Sequence, residues 1–175
     1  MRQLFFIALL AVASSCAADN VLGGSVSELF PLDVSRVEVQ KNDEALQVTY
    51  LRNRGVFLDV VVRVSISTRV EGMSEDGGRV SYEFKAGNRI PLKGTDPYGV
   101  QRVSVTHAPG GEPVRNFPEV TNGDLLITGG GEIGEETSGN FSMVFAKEGG
   151  DLGFGRTLTG TFRGETLDAG FGELP

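Results

Sequence analysis

The chain has 175 residues, of which 39% are hydrophobic and 22% charged, with one cysteine, one histidine, no tryptophan and a formal net charge of −7. That charge argues against a nucleic-acid partner, because neutralising phosphates requires a basic surface. A single cysteine excludes an internal disulfide and a single histidine excludes a zinc site built from several imidazoles, so the fold must stand on its core.

Residues 1–16 read MRQLFFIALLAVASSC, with Arg2 ahead of an apolar run from Leu4 to Val12 and then Ala13, Ser14 and Ser15 before Cys16. The run is far shorter than the roughly 20 residues of a membrane-spanning helix. It has the form of a bacterial export signal. Small residues directly before the cysteine resemble the lipobox of bacterial lipoproteins. The resemblance implies a signal peptide over 1–15, cleavage before Cys16 and a diacylglycerol anchor on its thiol. Ala13 stands where that family most often has Leu, and cleavage after Ala17 or Ala18 is the alternative. No aspartate stands directly after Cys16, which in the enterobacterial members of that family implies an outer-membrane or cell-surface address. A soluble periplasmic or extracellular protein is the alternative.

Cleavage before Cys16 removes Arg2 and no acid, leaving 15 basic against 23 acidic side chains, a formal charge of −8. Residues 16–33 mix small side chains with a Gly23-Gly24 pair and read as a lipidated cysteine and flexible tether. Within it, Leu29 and Phe30 are candidates for docking on the domain edge. Residues 34–175 are long enough for a single domain with a substantial core.

From Val34 onward the dominant pattern is alternation with a period of two. Val37 and Val39 face Leu46, Val48 and Tyr50 across a turn at Lys41–Glu44, a hairpin pattern. Leu58, Val60, Val62, Val64 and Ile66 form one face of a central strand, with Asp59, Arg63, Ser65 and Ser67 opposite. Further strands are expected around Val80–Phe84, Val103–Val105, Leu125–Thr128, Phe141–Phe145 and Leu158–Phe162; the last carries Thr157, Thr159 and Thr161 on its other face. The expected fold is all-β, an antiparallel β-sandwich of about eight strands, with a closed β-barrel as the alternative.

Chemistry-bearing motifs are few. Gly129–Gly134 has the spacing of a dinucleotide-binding loop but is followed by acids and the next strand, where the motif needs a helix N-terminus, so no nucleotide is expected. Glu132, Glu135 and Glu136 offer a calcium ion three carboxylates, the lesser reading beside a solvated acidic hairpin; no other metal and no cofactor is expected. His107 shares the face of Val103 and Val105 but has no identifiable partner for general-base work. No Gly-x-Ser-x-Gly elbow is present.

The connection from Ala108 to Asp124 is the longest without strand character, and long loops on β scaffolds carry binding surfaces. Arg115 and Phe117 within it, His107 at its edge and Tyr98 in the Asp96–Gly99 turn are the candidate partner-binding residues, and none is a catalytic candidate. The expectation is a lipid-anchored cell-envelope protein, a non-catalytic binding or structural module for an envelope protein or glycan. A secreted, carboxylate-dependent hydrolase is the alternative.

Overall fold

The computed structural model describes residues 20–74 and 76–168. The elements are β1 (Leu22–Gly23), a 3-10 turn (Ser25–Glu28), β2 (Arg36–Lys41), β3 (Ala45–Arg54), β4 (Phe57–Ser67), β5 (Glu71–Met73), β6 (Arg79–Ser81), β7 (Arg89–Pro91), β8 (Val103–Ala108), β9 (Arg115–Asn116), β10 (Val120–Gly129), β11 (Glu136–Phe145) and β12 (Thr157–Asp168). The fold is all-β. One large sheet with the order β7-β10-β11-β12-β2-β3-β4-β8-β9 curls into a half-barrel, β1 adds to β12, and β5 and β6 form a small separate sheet. Seven of the eight expected strands lie in the large sheet, and the eighth shortens to the three residues of β6.

Every pairing in the large sheet is antiparallel except one, where β12 meets β2 in parallel at Thr166–Val39, Leu167–Gln40 and Asp168–Lys41. The strictly antiparallel expectation fails at this seam because both strands run in the same direction, joined through the rest of the chain and not by a hairpin. Strand polarity then defines two ends. The base holds the β3–β4 hairpin tip, the β8–β9 connection and the β11–β12 loop; the crown holds the β2–β3 turn, the β10–β11 loop and the start of β8.

The central strand departs from simple alternation at a bulge. Tyr50 pairs with Val62 and Leu51 with Val60, so Val61 is an extra residue. An inserted residue reverses the face of everything beyond it. Val62, Val64 and Ile66 point inward as expected, but below the bulge Val61 and Asp59 are fully buried and Leu58 turns outward.

Residues 20–33, expected as a tether, are packed. Leu22 pairs with Gly160 and Gly23 with Thr159, Leu22 and Val26 are buried, and Phe30 packs against the core. The threonine face of β12 supplies the reason. Thr161 Oγ1 accepts from Val21 N–H at 3.2 Å and Thr157 Oγ1 from Ser25 N–H at 3.0 Å, satisfying backbone donors that a short strand would otherwise leave unpaired. Leu29 stays exposed, so only Phe30 of the expected pair docks.

On β11 and β12 aromatic rings cover glycines. Phe141 lies opposite Gly160 and Phe162 opposite Gly139. A Cβ on Gly160 would meet the Phe141 ring at 2.6 Å and the Tyr50 hydroxyl at 2.8 Å. The open seam between β7 and β8 is held by buried Arg102, whose guanidinium donates to Pro91 O and Thr95 O, each at 3.1 Å, and to Glu71 O. One side chain thus ties the large sheet to the small one.

Candidate functional site

At the base, the β3–β4 tip exposes three consecutive apolar side chains, Val56 at 94%, Phe57 at 57% and Leu58 at 42%. The bulge is the cause, since it turns Leu58 out as it turns Asp59 in. The Asp59 carboxylate is 0% exposed and accepts from Gly110 N–H at 2.7 Å and Arg52 Nη2 at 3.0 Å, with Arg54 Nε at 3.5 Å. The Gly110 amide foremost, and then the two guanidinium groups, hold its pKa below the usual carboxylate range against the cost of burial. Arg54 also reaches Gly110 O at 3.4 Å, so the tip is clamped to the β8–β9 connection, where Val114 is exposed.

His107, Arg115 and Phe117 come together here, but not as a binding surface. His107 is 3% exposed, its Nδ1–H donates to Val61 O at 2.8 Å, and its ring stacks on Phe30 with centroids 3.9 Å apart. Phe30 meets Phe117 edge-on at 6.4 Å and Phe117 stacks on Phe145 at 4.7 Å. His107 and Phe117 therefore belong to an aromatic core, which corrects their reading as partner contacts: the packed N-terminal segment covers them. Arg115, opposite His107 in the β8–β9 register, remains partly exposed beside Glu112 at 3.5 Å. Burial pushes the His107 pKa down, and its Nδ1 rests on a carbonyl instead of a carboxylate. Asp59 and His107 thus have their hydrogen bonds committed to holding the base together.

Tyr98 lies at the crown, away from the other three, and is 71% exposed. Asp96 shapes its turn, with Oδ1 accepting from Tyr98 N–H at 2.9 Å and Val100 N–H at 3.0 Å while Ser67 Oγ donates to Oδ2 at 3.3 Å. The Arg69 guanidinium lies 4.9 Å from the Tyr98 ring centroid. Beside them opens a cleft of about 680 Å³ whose walls include Glu44, Ser65, Arg69, Gln101 and Ser104.

The three glutamates of the β10–β11 loop do not converge. Glu132 pairs with Lys41 Nζ at 2.8 Å, Glu135 accepts from Glu132 N–H at 3.3 Å, and Glu136 faces Arg163 at 3.2 Å. Each carboxylate is drawn to a different partner, and no group of three acids, histidines or cysteines suited to a metal occurs among the described residues. The glycine run serves packing, since a Cβ on Gly131 would lie 1.7 Å from Phe84 O. Cys16 lies outside the described residues.

Sequence reasoning missed Asp59, Arg102 and the apolar tip. The tip had a visible signal in Asn53-Arg54-Gly55, a turn-like stretch ahead of three apolar residues. Asp59 had none, because its burial depends on a bulge. Comparison with protein-family models, curated proteins and solved structures finds no match for this chain.

Proposed function

We propose that this chain is a lipid-anchored module of the bacterial outer membrane or cell surface, non-catalytic, which binds an envelope protein through the base of its sheet. The observation that carries the reading is the exposed run Val56-Phe57-Leu58. Three consecutive exposed apolar residues are costly to solubility unless they contact something. Asp59 and its two arginines hold that run in place, as a contact surface requires.

A protein partner fits better than the anchoring bilayer because of reach. Asn20 Oδ1 accepts from Arg163 N–H at 2.7 Å, at mid-length of β12. The four steps from Cys16 to Asn20 span at most about 14 Å. From Arg163 down to Thr157, the base end of β12, is about 20 Å of strand. A lipid on Cys16 therefore tethers the domain near the middle of β12 and not at its apolar tip. We also infer that the curl is a sandwich, with β2–β3–β4–β8 facing β10–β11–β12, since β7 and β9 end the hydrogen-bonded path without meeting.

The test combines intact mass spectrometry with cross-linking in cells. A mature chain starting at Cys16 with added lipid mass, lost in Cys16→Ala, is expected. A photo-cross-linker at Phe57 is expected to capture a discrete envelope protein, and one at Asp43 on the crown is not. A lipid-free chain starting at Ala18 or Asp19 removes the anchor, and equal capture from both positions removes the base as the contact.

A further inference from the structure

The geometry points to a second binding site at the crown, a saccharide-binding cleft between the β4–β8 face and the Asp96–Arg102 turn, taking a neutral polyhydroxylated ligand. It goes beyond the protein contact at the base and lies at the opposite end of the sheet. The cleft, about 680 Å³, falls in the range of small-molecule sites.

Unspent hydrogen-bonding capacity on its walls is the first argument. Among the described residues the side chains of Glu44, Arg69, Gln101 and Ser104 make no hydrogen bond or ion pair within the fold, although all four line this one cleft. By contrast, Asp96, Ser67 and Arg102 on the same walls are committed to the turn and the seam. The free groups include donors only (Arg69), an acceptor only (Glu44) and groups that do both (Gln101, Ser104). A sugar, whose hydroxyls each donate and accept, matches that mixture.

Charge supplies the second argument. The cleft walls carry two acids, Glu44 and Asp96, and two arginines, Arg69 and Arg102, so the cleft favours neither a strong anion nor a strong cation. Val100, Ala45 and the aliphatic stems of the polar residues add apolar surface to the walls, which suits the C–H faces of a sugar. The exposed Tyr98 ring, one face occupied by Arg69, offers a flat surface at the rim for the C–H face of a sugar. Preorganisation is the third. Asp96 fixes the turn through two backbone amides and Ser67, and Thr95 bridges to Gln101, so the free side chains sit on a set backbone and less ordering entropy opposes binding.

The test is amide NMR of the ¹⁵N-labelled mature chain titrated with two neutral probes, an N-acetylglucosamine trisaccharide and a glucose trisaccharide. Saturable shifts centred on Arg69, Tyr98, Gln101 and Ser104 with at least one probe are expected. Tyr98→Ala and Gln101→Ala, both at exposed positions, should weaken that binding at least ten-fold with Tm unchanged. The proposal is overturned by no saturable shift from either sugar at millimolar concentration, by shifts centred elsewhere, or by stronger binding of an uncharged tripeptide at the same residues. None of these outcomes bears on cross-linking from Phe57, so the two readings fail separately.

Discussion

Asp59 and His107 show how a titratable side chain becomes a structural part, and both make stability depend on pH. His107 has its pKa lowered from 6.5 chiefly by burial, so the folded state prefers the neutral ring. Its contribution is complete above the unfolded value and is lost as pH falls through the lower folded value. Thermal melts should therefore show Tm falling below about pH 6.5, and His107→Phe should flatten that segment of the curve. Asp59 has its pKa lowered from 3.8, so its contribution holds above that value and disappears on further acidification. Asp59→Asn leaves Arg52 and Arg54 without their buried partner and should cost about 3 kcal/mol in chemical denaturation at neutral pH. A cost under about 0.5 kcal/mol would show that the arginines are satisfied by solvent. Arg102 belongs with these two: Arg102→Met strands three carbonyls and should cost about 2–3 kcal/mol, with Lys a poor substitute because it lacks the planar fork.

Among the elements, β11 and β12 depend on small residues under large ones. The Phe141–Gly160 and Gly139–Phe162 pairs leave no space for a methyl group, as the 2.6 Å approach of the Phe141 ring to a Cβ on Gly160 makes plain. Gly160→Ala should destabilise by about 2 kcal/mol through overpacking, even though alanine suits a strand better than glycine does. Urea unfolding measures this, and a stabilised variant would mean the rings can move aside. The alternation of β2, β3, β8, β11 and β12 was legible because the stretches that carry it run in unbroken register with a neighbour, and that of β10 because its two irregularities fall near its ends. β4 was legible only above its bulge, and the 20–33 segment was not legible as structure: Leu22, Val26 and Phe30 bury themselves against β12 and His107, partners far away in sequence.

For the molecule as a whole, the two ends of the sheet differ in character, apolar at the β3–β4 tip and polar in the crown cleft. A Val56→Ser/Phe57→Ser double variant should leave Tm nearly unchanged, since both side chains are solvent-exposed, and should abolish capture of the envelope partner. Capture that persists at wild-type level would mean the apolar tip is not the contact. Of the candidate binding residues, Tyr98 and Arg115 remain accessible while His107 and Phe117 are interior. A parity argument places a side chain on a face, but it does not say whether that face is covered.

By itself the sequence determined the all-β class and most of the strands, because these depend on local periodicity and composition. Only the tertiary structure decided that β12 closes onto β2, that a one-residue bulge exchanges Leu58 for Asp59, and that the N-terminal segment roofs His107. Each of those depends on contacts between residues far apart in the chain, where burial is set by which strand lies opposite and not by the order of neighbouring side chains.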